Sequence, residues 1–197
     1  MGIHKTIFTL AVILVTITLA SGLCPNIITR AEWGAESPEK QEALNEPVPY
    51  LAIHHTYKPK FCSSTELCKR AMKSIQDYHK NERKWSDIGY SFCIGGDGNV
   101  YEGRGWGMVG AHTYAWNNKA IGVCFIGDYT SELPTPEMMM RLDELTQCGI
   151  EGGHLKEDVK YFGHRQVGAT ECPGKAFFAD IQGMTRWTPN PTKETQP

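Results

Sequence analysis

Apolar positions along the chain fall into short runs separated by polar, glycine-rich and proline-rich stretches. From Val48 to Thr56 a mostly apolar run, bounded by Pro47 and Pro59 and ending in His54-His55-Thr56, predicts a central strand. Ile88 to Ile94 and Val100 to Glu102 predict two more, joined through Gly95-Gly96-Asp97-Gly98-Asn99. Asp-Gly and Gly-Gly supply the positive φ angles that a tight hairpin needs. Ala120 to Ile126 predicts a further buried strand, ended by Gly127-Asp128. Ser63 to Lys80 has helical spacing, with Ser63 and Glu66 as a capping box and Leu67, Ala71, Ile75 and Tyr78 along one face. Asn81 to Ser86 is its polar exit. Thr135-Pro136-Glu137 starts a second helix with a cap and an N1 proline; Leu142, Leu145 and Cys148 line its inner side, and Gly152-Gly153 stops it. Lys175 to Met184 is a short C-terminal helix that buries Phe177, Phe178 and Ile181. Arg30 to Pro49 reads as a surface arm contributing no core, and Thr188 to Pro197 as a disordered tail. Gly103 to Asn118 sets aromatic and histidine side chains among glycines, like the wall of a groove. Strands interleaved with helices predict a single α/β domain with a mixed sheet of about five to six strands packed by three main helices.

The 197 residues suffice for one such domain. Residues Met1 to Gly22 read as a cleaved secretory signal: Lys5, then a mostly apolar run from Ile7 to Leu19, then small residues at Ala20-Ser21-Gly22. A membrane span is the competing reading, but the run is shorter than the ~20 residues a bilayer requires, so no stable membrane insertion is expected. The domain then runs from residue 23 to about residue 187, and the protein is expected outside the cell. The net charge of −2 comes without a basic tract, which disfavours nucleic acid as a partner.

Seven cysteines are an odd set for a secreted chain. Cys62 and Cys68 can bridge a loop to a helix, and Cys24 can pin the N-terminus to Cys148. Cys93 and Cys124 are either buried thiols or a third bridge, and spacing does not fix the connectivity. Cys172 stands apart. With seven residues between them, His164 and Cys172 look like two ligands of one soft metal, and His54 or His55 is the upstream candidate for a third. On a regular strand only one of those histidines can face a given site. Two imidazoles and a thiolate suit Zn²⁺ and leave room for water, which points to amide or ester hydrolysis. The bland alternative is a hydrogen-bonding His164 and a buried or paired Cys172. The open edge of the sheet is the expected meeting point of His54, Tyr90 and the 164–172 loop.

Ile53-His54-His55-Thr56, Trp85-Ser86-Asp87-Ile88-Gly89-Tyr90, Gly95-Gly96-Asp97-Gly98 leading to Tyr101-Glu102-Gly103-Arg104-Gly105-Trp106, Gly110-Ala111-His112, Gly163-His164-Arg165 and Glu171-Cys172-Pro173-Gly174 closely resemble the peptidoglycan recognition proteins, from about Cys24 to Trp187. That family is related to the phage-lysozyme type of N-acetylmuramoyl-L-alanine amidase. The resemblance implies a zinc amidase of innate immunity, antibacterial in setting, cutting bacterial peptidoglycan between N-acetylmuramic acid and L-alanine. Its implied zinc ligands are His54, His164 and Cys172, since receptor-only members replace the first histidine or the cysteine. Tyr90 sits where the family places a tyrosine beside the zinc, able to hydrogen-bond a developing oxyanion. Thr170 stands where the phage enzyme has a catalytic lysine, so no charged group is available there as a general acid. His55, Thr56, His79, Arg83 and His112 match ligand-contacting positions. His55 can instead be a satisfied histidine of the opposite layer, and His79 can merely stabilise a helix C-terminus. Arg104 resembles members that prefer meso-diaminopimelate stems, whose extra carboxylate a guanidinium can grip bidentately. Such members have Gly-Trp where this chain has Lys84-Trp85, which either adds attraction for the carboxylate or crowds the groove. A non-hydrolytic peptidoglycan receptor, or an antibacterial effector that does not depend on hydrolysis, is the alternative.

Overall fold

The computed structural model describes residues 24–192, so the expected signal segment and the last five residues lie outside it. Six strands form one mixed sheet: β1 (Ile27–Ile28), β2 (Val48–His55), β3 (Phe92–Ile94), β4 (Val100–Glu102), β5 (Ala120–Phe125) and β6 (Leu155–Gly163), in the order β1-β4-β3-β5-β2-β6. Only β3 and β4 pair antiparallel. The helices are α1 (Arg30–Trp33), α2 (Thr65–Asp77), α3 (Pro136–Glu151) and α4 (Lys175–Ile181). A π-helical turn, Tyr78–Glu82, continues α2.

Parallel central strands must be covered on both faces, which is why β5 is buried at all six positions and β2 at its last five. Leu51, Ile53, Val123 and Phe125 pack with Met138, Leu142 and Leu145 of α3 and Phe177 and Ile181 of α4. The opposite face, with Cys93 and Cys124, packs with Ala71, Met72 and Ile75 of α2. By alternation His54 shares the face of Ala52, and His55 that of Leu51 and Ile53.

Several elements differ from the sequence reading. The 30–49 arm contributes core: Trp33, Leu44 and Val48 are buried, and the Trp33 indole donates to the Glu102 carbonyl at 2.8 Å. Trp33 lies on the single turn of α1 and Leu44 on an irregular stretch, where no periodicity shows, while Val48 opens the strand that the apolar run predicts. β6 was not expected at all, because Lys156, Glu157, Asp158 and Lys160 break up its apolar positions, as befits an edge strand. Only Phe92–Ile94 of the expected 88–94 strand joins the sheet. Before it, the Ile88 and Gly89 amides donate to the Asp87 carboxylate and to His79 Nδ1 instead of to a ladder. α2 is capped by Ser64, not Ser63, and its buried side carries Cys68 and Met72 while Leu67 and Tyr78 are exposed. α4 ends at Ile181 and leaves Phe178 half-buried beneath the Arg165 guanidinium. Beyond Thr188 the chain is still tied down, since Gln166 donates to Thr188 O and Pro189 O, and Thr192 N donates to the Tyr50 hydroxyl.

Disulfides join Cys24 to Cys148, Cys62 to Cys68 and Cys93 to Cys124, the last between directly paired residues of β3 and β5. Cys172 is free. Among the described residues, no helix is long and apolar enough to cross a membrane.

Candidate metal centre

The site is gathered by strand register. β2 and β6 run parallel with Ile53 opposite Gly163, so the next residue of each chain segment, His54 and His164, emerges at the same end of the sheet. Their rings lie 4.7 Å apart. β2 is an interior strand, so the centre forms at strand C-termini rather than along an open sheet edge. A short 3-10 turn (His164–Gln166) and the following loop bring Cys172 back, fixed by Arg165 N donating to Cys172 O at 2.9 Å. Cys172 Sγ lies 3.6 Å from His54 Nδ1. One ligand atom from each of His54, His164 and Cys172 falls within 4.8 Å of the others.

Burial pulls the pKa of both His54 and His164 down, which leaves each ring neutral with a lone pair to offer. The Cys172 thiol is pushed up to about 12 by burial, partly offset by the His55 amide, which donates to Sγ at 3.4 Å, and by Arg165. Its ionised form therefore calls for a cation at the sulfur, and a divalent ion supplies one. Two imidazoles and one thiol are the donor set of a borderline-soft ion such as zinc and a poor set for magnesium or calcium. The residues fit the metal that the sequence implies.

Tyr90 stands with its ring 5.3 Å from that of His54. Burial, then the neighbouring Cys172, raises its phenol, so it remains an O–H donor near neutral pH. Thr170 Oγ1 accepts the Cys172 amide at 3.1 Å, which orients the cysteine and leaves the hydroxyl proton free to be donated. A cavity of about 460 Å³ opens beside Tyr90, lined by Thr56, Pro59, Ser74, Tyr78, His79 and others of the 56–59 loop and α2. Of the sequence-derived contact residues, Thr56 and His79 thus line the cavity. His79 Nδ1 accepts the Gly89 amide at 3.0 Å, and burial pulls its pKa to about 4, with Arg83 and Arg104 adding to the shift. A neutral ring gives no charge to a helix terminus, so that alternative for His79 falls away. Trp85 packs on His79 at 4.6 Å, and Arg83 lies over Trp85 at 5.4 Å. Lys84 is exposed, with a left-handed φ of 58°. His55 is on the other side of β2, where Nδ1 accepts the Tyr129 amide at 3.2 Å and burial pulls its pKa to about 4. Arg104 spends Nε and one Nη on the carbonyls of Ile88 and Val109, each at 2.8 Å. His112 is buried against His54. Sequence reasoning missed Thr113, whose hydroxyl lies 3.2 Å from His54 Nε2, and Tyr78 as a cavity wall. The only pointer to Thr113 was its place directly after Gly110-Ala111-His112.

Residues 44–175, which contain all of these groups around His54, match the family model described as N-acetylmuramoyl-L-alanine amidase. Over 162 residues the chain is 44% identical to peptidoglycan-recognition protein LB of Drosophila melanogaster, covering 82% of this chain and 70% of that protein. The chain belongs to the peptidoglycan-recognition proteins, or PGRPs. Over 187 residues it is 37% identical to peptidoglycan-recognition protein 2 of Holotrichia diomphalia, covering 95% of this chain and 100% of the relative. Among solved PGRP structures, a mutant of Drosophila PGRP-LB in complex with tracheal cytotoxin aligns with a TM-score of 0.81 at 43% identity, covering 82% of this chain and 96% of that one. The six-stranded mixed sheet with its helices is therefore the PGRP fold.

Proposed function

We propose that this PGRP is a secreted, zinc-dependent N-acetylmuramoyl-L-alanine amidase that binds bacterial peptidoglycan and hydrolyses the lactyl-amide bond between N-acetylmuramic acid and L-alanine. The observation that carries the proposal is the convergence of His54, His164 and the free thiol of Cys172 next to Tyr90, which lines a cavity. Cys172 is the informative member, because the other six cysteines are paired in disulfides. Those bridges also support an oxidising, extracellular compartment.

His54, His164 and Cys172 hold the zinc. When bound, zinc polarises an amide carbonyl and lowers the pKa of water to about 7. Tyr90 donates its phenolic hydrogen to the carbonyl oxygen as negative charge develops there, in a half-buried setting where such a bond is strengthened. Thr170 holds the Cys172 backbone in place and keeps one hydroxyl hydrogen for the reacting groups. The cavity past Tyr90 takes the stem peptide, in keeping with the tracheal cytotoxin complex of the Drosophila relative. Trp85 packed on His79 stiffens one wall. Thr56 offers the cavity a polar contact, and the exposed Arg83 and Lys84 offer the stem peptide positive charge outside it. The part of the Arg104 guanidinium not spent on backbone carbonyls gives diaminopimelate stems a charge-assisted contact that lysine stems lack.

The competing receptor reading differs in one observable. Cys172→Ser is expected to abolish release of stem peptide from muropeptides while retaining binding to insoluble peptidoglycan. Undiminished turnover by the variant would remove Cys172 from the reaction, and binding without turnover by the wild type would make the protein a receptor.

A further inference from the structure

His112 fills a space that glycines leave for it. A Cβ added at Gly110 or at Gly122 would come within 2.3 Å of its ring. Gly122 lies on β5, and so does Ala120, whose carbonyl is 3.3 Å from His112 Nε2. A carbonyl offers lone pairs only, so Nε2 carries the ring proton and Nδ1 presents a lone pair. That Nδ1 is 3.2 Å from His54 Nε2 and 3.0 Å from Thr113 Oγ1. Thr113 Oγ1 is itself 3.2 Å from His54 Nε2. Two bare ring nitrogens facing each other in a buried setting repel, so the compatible arrangement puts the His54 proton on Nε2. Its Nδ1 is then bare, and that is the nitrogen facing Cys172 Sγ.

We infer that His112 and Thr113 are positioning residues that lock His54 in its Nε2–H tautomer and aim the bare Nδ1 at the metal position, with the Ala120 carbonyl setting the polarity of the chain of bonds. The inference rests on the proposed zinc-ligand role of His54. It also moves His112 away from the substrate-contact role implied by the resemblance, because both of its ring nitrogens are engaged inside the protein. Metal-bound histidines usually have their second nitrogen held by a carboxylate, carbonyl or water, and loss of that partner costs about 10–100-fold in metal affinity. Here an imidazole and a hydroxyl take that place, anchored on the strand next to β2.

Two readouts test this. Nitrogen-15 NMR of metal-free, histidine-labelled protein reports the tautomer of His54, and competition with a chromogenic chelator reports zinc affinity. The wild type should show His54 protonated at Nε2. His112→Phe should mix the tautomers and weaken zinc binding by about 10–100-fold. Thr113→Val, nearly isosteric, should shift both readouts in the same direction by less, and it serves if the larger change prevents folding. His112→Asn restores an acceptor near His54 Nε2 and should recover part of the loss. An unchanged His54 tautomer and unchanged zinc affinity in folded Thr113→Val protein, or in folded His112→Phe protein, would overturn the inference. If the wild type fails to bind zinc, the metal reading falls, while the tautomer measurement still decides the role of His112.

Discussion

Tyr90 and Arg104 are the single residues on which the proposed chemistry and specificity depend most. Tyr90→Phe removes one hydrogen-bond donor and leaves the ring packing on His54 and His79 intact. Loss of one preorganised donor to an oxyanion costs about 10²–10³ in kcat, so steady-state kinetics on muropeptides should show that fall with KM little changed; an unaltered kcat would take Tyr90 out of the reaction. Arg104→Lys keeps the charge but loses the fork that ties Ile88 to Val109. The ratio of kcat/KM for diaminopimelate over lysine stems should narrow, and an unchanged ratio would discard the specificity role. Much at this scale was legible because few residue types can do the chemistry: His54, His164 and Cys172 stand out in any sequence and the structure brings them together. Thr113 was not legible, since a threonine hydroxyl is as often satisfied by solvent and only its distance to His54 gives it meaning. Alternation alone says that His54 and His55 differ and not which faces the metal; the resemblance implies His54, and His54 is the one that lies with His164 and Cys172.

The start of α3 and the course of β5 are legible from local signals, whereas β6 and α1, held by distant contacts, are not. Thr135 caps α3 by accepting the Met138 amide, with Pro136 in the first turn, as its sequence predicts. β5 likewise follows from an unbroken apolar run. β6 escaped because charged residues on an edge strand hide its pattern, yet it positions His164 through its pairing with β2. α1 escaped because one helical turn has no periodicity, although its Trp33 is buried. The Cys24–Cys148 bridge ties the segment before β1 to the end of α3 across 124 residues of chain. Removing a disulfide that closes so long a loop costs about 2–5 kcal/mol. The double change Cys24→Ser and Cys148→Ser should lower the midpoint of denaturant unfolding accordingly, and an unmoved midpoint would mean that this bridge adds nothing to the fold's stability.

Over the whole molecule, a sheet covered on both faces presents its site where parallel strands end, as ligand sites of open α/β sheets do. That placement buries several histidines in the neutral form: His55 and His79 with pKa near 4 and His112 near 3, all lowered chiefly by burial. An unfolded histidine titrates near 6.5, so between about pH 6.5 and 4 the unfolded chain binds protons that the folded one refuses. Stability is therefore full above pH 6.5 and falls as the pH drops towards 4, by about 3 kcal/mol for a single group such as His55. Melting of the metal-free protein should be flat from pH 7 to 8 and decline steeply below 6.5; a flat profile down to pH 4 would contradict this account of buried neutral histidines. The central claim, that His54, His164 and Cys172 make a zinc amidase, is tested most directly by measuring metal content and the mass-spectrometric products of muropeptide digestion on one sample. The account predicts one zinc per chain and stem peptides with a free L-alanine amine, both lost on chelation and restored by zinc. Stem peptides still joined to N-acetylmuramic acid, in protein carrying its full equivalent of zinc, would contradict it.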